Sequence, residues 1–347
     1  MSLLSLEELR KRFETRVIPY LWRIRNPEHP EVGERPWFVC VGGQPGAGKT
    51  AAVDASGRTH KGSVIVNGDD LRQFHPAYEH TMATNPLAMP DVTAQAIGEW
   101  VMMGSRWLRE QRISAVVEST LRQKDFLLEE LAAYREAGYG TELRVVAVPL
   151  EVSRLGTLAR YVGQAQESGA GRAVTARGHD DRAAMVPGTV EALVASGLVD
   201  RLVIQDRDGH VFLDADVSQG GPELAAHARA VVDQARDVTS MTPAQAQEWF
   251  QAAITTLKAL KEVPVDQDLL QVSAQLTSRD AKAIAARAWP TEPDQQRHHV
   301  DVLQRHHCWA AVRTATLTRQ PLRTMTPRIQ HRSAPSRPDR GHGGIER

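Results

Sequence analysis

Short, nearly continuous apolar runs recur along the chain, at PWFVCV (36–41), SVIV (63–66), ISAVV (113–117), LRVVAVPL (143–150) and RLVIQ (201–205). They do not alternate with polar residues, which is the pattern of strands covered on both faces. Between them the apolar positions recur at the helical period, most clearly over 91–112, 123–137 and 178–197, the last interrupted at Pro187-Gly188. Strand and helix alternating at this spacing predict an α/β, three-layer, P-loop kinase-like fold with a mainly parallel sheet.

The flanks follow the same logic. Ser5 and Glu8 make a capping box ahead of LEELRKRFETRVIPYLWRI, an opening helix expected to break near Pro19 and to end in the polar stretch NPEHPEVGERP. RDGHVFLD (207–214) reads as a turn into a last strand, and the Ala-rich 219–236 as a helix. The α/β unit therefore spans 1–238. Thr242 and Pro243 are an N-cap and first-turn pair for a further helix, and another is expected over 266–288, giving a helical appendage at 239–290. From 291 to 347 no period survives.

Composition changes this picture in two places. Lys+Arg and Asp+Glu both number 42, yet residues 291–347 carry ten Arg against five acids, so this segment is +5 and the rest −5. Rich in Pro, Gly and His and with no face to bury, it is expected to be a disordered, non-specific polycation, without specific nucleic-acid binding. His298, His299, His306 and His307 are paired without a firm element to close a metal site. The second point is membranes: 41% apolar residues contain no run near the roughly 20 a spanning helix needs, and the first residues lack the order of a secretion signal. A cytoplasmic protein with no membrane partner is expected, with Cys40 and Cys308 as free thiols.

The candidate chemistry begins directly after the first strand. Gly43-Gln44-Pro45-Gly46-Ala47-Gly48-Lys49-Thr50 fits G-x-x-x-x-G-K-[ST] between a strand and a helix. Glycines let backbone N–H groups converge on phosphate oxygens at the positive end of the following helix. Lys49 is expected to bridge the outer phosphates and Thr50 to ligate Mg²⁺, so ATP and Mg²⁺ are the expected cofactors. The loop specifies a nucleotide and leaves the reaction open.

Two further clusters fall at strand ends, where open α/β sheets bind ligands. After the second strand, Asn67-Gly68-Asp69-Asp70 offers a carboxylate that can orient and deprotonate an attacking hydroxyl; Asp69 is the candidate and Asp70 the expected helix cap. After the third, Glu118-Ser119-Thr120-Leu121-Arg122 groups an acid, two hydroxyls and a guanidinium, fit for a polar substrate or the Mg²⁺ shell. Arg160 and Arg172 lie on a helix and a Gly-containing stretch from which a lid could deliver charge to a transferring phosphoryl group.

These motifs together resemble the zeta toxin family of bacterial toxin–antitoxin kinases. The resemblance runs from about Pro36 to Leu213, through GGQPGAGKT (42–50), GDDLRQFHPAY (68–78), VVESTLR (116–122), LGTLARY (155–161) and GRAVTARGHD (171–180). It implies a kinase that uses ATP and Mg²⁺ to phosphorylate the amino-sugar hydroxyl of UDP-N-acetylglucosamine, and a separate antitoxin that occludes the ATP site. Carried over by motif, the family's catalytic aspartate falls on Asp69. Its phosphate loop falls on Lys49 and Thr50, its sugar-nucleotide signature on Glu118, Thr120 and Arg122, and its lid arginines on Arg160 and Arg172. The resemblance does not reach 238–347, and HTMATNPLAMP (80–90) beside the acceptor motif is particular to this chain. A P-loop kinase of another small molecule, and a nucleotide-dependent switch acting through the C-terminal helices, remain the alternatives.

Overall fold

The apolar run at 37–42 becomes an inner strand of a six-stranded sheet in the computed structural model, which describes residues 3–26, 34–85, 88–169, 171 and 173–317. In chain order come α1 (Leu6–Arg12), a π-turn (Phe13–Val17), α2 (Ile18–Arg23), β1 (Trp37–Gly42), α3 (Lys49–Thr59), β2 (Val64–Val66) and α4 (Gly68–Leu71). Next are α5 (Tyr78–Thr84), α6 (Met89–Glu110), β3 (Ala115–Ser119), α7 (Lys124–Glu136), β4 (Gly140–Val146), α8 (Leu150–Ser168) and α9 (Ala176–Ala195). β5 (Arg201–Gln205), β6 (Val211–Asp216), α10 (Pro222–Ala235), α11 (Pro243–Leu260), α12 (Gln267–Gln275), α13 (Ala281–Ala288) and α14 (Pro293–Leu317) complete it.

The strand order is β2-β3-β1-β4-β5-β6, with β1 to β5 parallel and β6 antiparallel to β5. This is the α/β layering expected from the apolar runs. Because side chains alternate along a strand, β1 serves two cores. Phe38 and Cys40 face a cluster with Trp100 of α6, Tyr134 of α7 and Val190 of α9, whereas Val39 and Val41 face α3, α8 and the C-terminal helices. Cys40 is a free thiol, pushed up to about 12 by burial against a weaker opposing pull from the Ser119 hydroxyl. It behaves as a small apolar residue.

The C-terminal helices share the second core. Phe250, Leu257 and Leu260 of α11 are fully buried and Trp249 nearly so, and each such side chain contributes about 1.5–3 kcal/mol of burial. Trp249 Nε1 also donates to the Glu151 carbonyl at 3.1 Å. The appendage is thus an additional layer over α8.

Three sequence expectations are corrected. Pro187-Gly188 does not interrupt α9, which runs through both residues. Proline removes the N–H that would serve the carbonyl four residues back, and that acceptor, Ala183 O, instead receives Arg236 Nη2 at 2.7 Å. Pro19 likewise opens α2 within its first turn, and a π-turn joins α2 to α1. The helix expected over 266–288 is present, running from Gln267 to Ala288 with one π-turn inside it at Leu276–Asp280. Finally, the segment expected to be disordered from 291 begins as α14, where Val300 and Leu303 are buried, His299 stacks on Trp289 at 3.8 Å, and His307 Nδ1 meets Ser273 Oγ at 2.6 Å. Residues 318–347 of that tail lie outside the described residues. No helix among the described residues is long and apolar enough to cross a membrane.

Candidate active site

The phosphate loop leaves β1 at Gly42 and ends where α3 starts, with Gly48 as the N-cap in the left-handed region (φ +89). Its close seating explains its glycines. A Cβ on Gly46 (φ +77) would lie 2.0 Å from the Ser153 carbonyl oxygen, so only glycine lets the loop rest on α8. Gln44, fully buried, anchors the other side by donating to Val148 O at 2.7 Å and Ser153 Oγ at 3.1 Å. Pro45 and Ala47 complete the turn, both buried.

Lys49 is 6% exposed, and its ammonium lies 3.1 Å from Gly43 O, 3.2 Å from Gln44 O and 3.4 Å from Glu118 Oε1. The phosphate loop and the third-strand cluster are therefore in contact. The register explains it: Val41 pairs with Glu118 and Gly42 with Ser119 across adjacent parallel strands, so the end of β3 comes up beside the loop. Glu118, Thr120 and Arg122 are exposed around a tight turn, in which Leu121 is left-handed (φ +55) and buried against Gly42, and its N–H is held by Ser119 Oγ at 3.0 Å. Thr50 is exposed at the first turn of α3. An exposed hydroxyl there, with the Glu118 carboxylate beside Lys49, forms a set of hard oxygen donors. That suits Mg²⁺, which is held by few protein oxygens together with phosphate and water.

Asp69 lies on α4, one strand further out than Glu118. Its Oδ1 accepts from Arg72 Nε at 3.0 Å and Nη2 at 2.8 Å, and Arg72 in turn contacts the Thr93 hydroxyl. The carboxylate is half-exposed, in a fixed orientation. Asp70 is not the cap expected from the sequence: Asn67 Oδ1 accepts from Asp69 N at 3.0 Å, and Asp70 instead accepts from the Tyr20 hydroxyl at 3.3 Å. Asn67 stands directly before the first helical residue, where a side-chain oxygen can reach a free N–H, whereas Asp70 lies inside the helix, three residues later. His75 shapes the following turn, accepting from Ala77 N at 3.2 Å, with burial depressing its imidazole. Arg160 is exposed on α8. Arg172 lies outside the described residues.

Two features escaped the sequence reading. Arg207, in the turn between β5 and β6, donates from Nη2 to Gly46 O at 2.9 Å and lies against Gly48, with burial lowering its pKa against the pull of Asp208 and Asp206. Its signal was available, an arginine at the carboxyl end of a parallel strand, but the turn around it hid it. The second is a buried strut beneath the loop. Ser153 Oγ lies 2.9 Å from His179 Nε2, and His179 Nδ1 lies 2.8 Å from Asp180 Oδ1. Arg154 Nε donates to the same Asp180 oxygen at 2.9 Å and Nη1 to Asp280 at 2.8 Å. The first three have the spacing of a nucleophilic triad, yet Ser153 is fully buried and His179 1% exposed, which denies a substrate access. Burial holds the His179 imidazole below its usual range, ahead of the opposing bond from Asp180. The strut ties the phosphate loop, α8 and the start of α9 to the appendage.

A family model described as Zeta toxin matches residues 22–218. Among curated proteins, the chain is 31% identical over 179 residues to Toxin zeta of Streptococcus pyogenes, covering 51% of this chain and 62% of that protein. It is 30% identical over 129 residues to Toxin PezT of Streptococcus pneumoniae, covering 37% of this chain and 51% of that one. The chain thus spans less than two thirds of the length of these relatives. A solved chain from the characterisation of the PezAT chromosomal toxin–antitoxin system of Streptococcus pneumoniae shares the fold, with a TM-score of 0.54 and 21% identity over 68% of this chain and 98% of that chain.

Proposed function

The chain belongs to the zeta toxin family, and on that premise we propose that it is a cytoplasmic, ATP-dependent kinase that phosphorylates a sugar hydroxyl of UDP-N-acetylglucosamine as the toxin of a toxin–antitoxin pair. The observation that carries the reading is the 3.4 Å approach of Lys49 Nζ to Glu118 Oε1, which joins a nucleotide motif to a substrate motif in one site. A stand-alone nucleotide switch does not require that junction.

In this reading, the backbone N–H groups of Gly43–Thr50 and the Lys49 ammonium cradle the triphosphate. Thr50 holds Mg²⁺, which supplies charge compensation to the outer phosphates. Glu118, Thr120 and Arg122 hold the sugar nucleotide beside the loop. Asp69, steadied by Arg72, orients the acceptor hydroxyl and takes its proton as the new oxygen–phosphorus bond forms and the bond to ADP breaks. Arg160 and Arg172 offset the charge that spreads over the transferring group. Phosphoryl transfer is chiefly positioning and charge stabilisation, so these groups suffice in kind. The partner protein is an antitoxin that competes for the nucleotide site.

The test is mass spectrometry of a panel of UDP-sugars and free sugars incubated with the protein, ATP and Mg²⁺, with Asp69→Ala alongside. One added phosphate on UDP-N-acetylglucosamine, absent with the variant, is expected. Phosphorylation of a different acceptor would remove UDP-N-acetylglucosamine as the substrate and keep the kinase. Consumption of ATP with no sugar modified would keep the phosphate loop, reopen the acceptor and favour a nucleotide-dependent switch.

A further inference from the structure

Helices α1 and α2 precede, but for the last residues of α2, the family-matched residues 22–218, and none of the motifs accounts for them. Their apolar faces explain why they fold onto the sheet: Leu9, Val17 and Leu21 are fully buried in the first core. Burial does not explain their polar contacts. Arg12, at the end of α1, donates from Nη1 to the Phe74 carbonyl at 3.1 Å. Tyr20 of α2 donates from its hydroxyl to Asp70 Oδ2 at 3.3 Å and sets its ring edge-on to Phe74, with centroids 5.4 Å apart. Both side chains end on one short segment, Gly68–Phe74, and that segment carries Asp69.

Such a segment cannot hold its own shape. It is a four-residue helix, α4, followed by a single further turn at Arg72–Phe74, far below the roughly 12–15 residues at which an isolated helix is even marginal. Its orientation is therefore set by its anchors. Asn67 caps its start, Leu71 is buried in the first core, Arg72 reaches the Thr93 hydroxyl of α6, and Arg12 holds its last carbonyl. A cation at that end meets the carbonyls that a helical segment leaves without a donor of its own. Arg72 stands between this last anchor and Asp69. Its guanidinium gives two donors to Asp69 Oδ1, at 3.0 and 2.8 Å, so a tilt of the turn moves the carboxylate with it. The N-terminal segment also fixes α6, the other support: Trp100 Nε1 donates to Leu9 O at 3.0 Å, and Gln95 exchanges two hydrogen bonds with the Leu4 backbone, at 2.9 and 3.0 Å.

We propose that α1 and α2 are a clamp on the acceptor segment, with Arg12 and Tyr20 as positioning residues for Asp69. The inference rests on the reading of Asp69 as the base that takes the acceptor proton. A base acts only within hydrogen-bond reach of that proton, and a misplacement of about 1 Å can cost about 10²-fold in rate. The clamp acts at the β2 edge of the sheet, whereas the phosphate loop follows β1, with β3 between them. Its effect therefore falls on transfer rather than on nucleotide binding.

Steady-state kinetics of the full chain, with UDP-N-acetylglucosamine or whichever sugar of the panel gains a phosphate as acceptor, and calorimetry with Mg-ATP test it. Arg12→Met keeps the stem and removes the donor; it is expected to lower kcat by about tenfold, with the Kd for Mg-ATP within about twofold of wild type. Arg12→Lys, which can still donate to a carbonyl, is expected to recover most of the loss. Tyr20→Phe, which keeps the ring against Phe74, is expected to lower kcat by about threefold, and it reads the clamp even where Arg12→Met does not fold. The decisive comparison is the Asp69→Ala background, in which Arg12→Met is expected to have no further effect, because no base is left to position. Unchanged kcat in Arg12→Met and Tyr20→Phe, a loss from Arg12→Met that persists without Asp69, or a loss of Mg-ATP affinity in step with kcat would overturn the clamp while leaving the kinase in place. An Asp69→Ala variant that turns over at the wild-type rate would overturn the reading of Asp69 itself, and the clamp with it. A wild-type chain that phosphorylates no sugar would do the same.

Discussion

The fit between the phosphate loop and α8 makes a prediction in which one substitution, made twice on one helix, has opposite signs. Gly156 and Gly163 both lie within α8, seven residues or nearly two turns apart. Replacing either by alanine should gain about 1 kcal/mol of helix propensity. At Gly163 a Cβ would have nothing within 4 Å, so the gain stands alone. At Gly156 it would lie 2.3 Å from Gly46 O and 3.2 Å from the Gly46 carbonyl carbon, and 3.1 Å from Arg207 Nη2, which holds that same oxygen. An ordinary contact is about 1 Å longer. The obstruction is backbone, which cannot rotate away, so the strain belongs at or above the upper end of the roughly 1–3 kcal/mol typical of overpacking. Gly156→Ala is therefore expected to lose about 2 kcal/mol or more net and Gly163→Ala to gain about 0.5–1 kcal/mol. Urea denaturation measures both, and calorimetry with Mg-ATP adds a second axis: the Gly156 variant should also bind nucleotide more weakly, because relief of the clash must move the loop. Shifts of the same sign in the two variants, or a destabilised Gly156→Ala with unchanged ATP affinity, would refute the argument that loop and helix are seated on each other.

Other outcomes follow from particular contacts. Lys49→Ala should weaken ATP binding and turnover together, whereas Asp69→Ala should leave ATP affinity nearly intact and lower transfer by about 10²–10⁴-fold, the usual worth of a general base; titration and steady-state kinetics separate the two. Arg236→Ala leaves the buried Ala183 carbonyl without its donor and should cost about 1–3 kcal/mol, much of it absent in a Pro187→Ala background, where the helix can supply its own N–H; a double-mutant cycle that finds the two changes additive would remove this account. Burial pushes Asp280 up to about 6, against the pull of Arg154. The folded state thus holds this proton more tightly than the unfolded chain, so the site's contribution to stability is full below about pH 4 and lost as pH rises through about 6. The stability of Asp280→Asn relative to wild type should accordingly rise over that window, by up to about 3 kcal/mol for the full shift; a difference that is flat in pH would contradict it.

What could be read in advance followed from whether the determining forces were local. The strands were legible because a strand buried on both faces must be apolar throughout, and the phosphate loop because its glycine spacing answers to one anion geometry. Asp69 and Glu118 were legible as strand-end carboxylates. The errors arose where a distant residue resolved a local conflict. Pro187 carries a breaking signal at any position, and nothing near it announces that Arg236, 49 positions later, will satisfy the carbonyl it strands. The tail from 291 looked structureless because its charge and histidines were counted along the chain, whereas Trp289 and the second core take up His299, Val300 and Leu303, and Ser273 meets His307.

The same distinction bears on the appendage. Asp280 and Trp249 carry no motif, and each gains meaning only from α8: Asp280 by closing on Arg154, one residue from the Ser153 that Gln44 grips, and Trp249 by covering Leu155, one residue from the Gly156 on which the loop rests. A single turn of α8 therefore faces the phosphate loop on one side and the appendage on the other. A perturbation of α11–α14 has a two-residue path to the phosphate loop, and that short path, rather than any motif of its own, is the physical reason to treat the appendage as part of the candidate site.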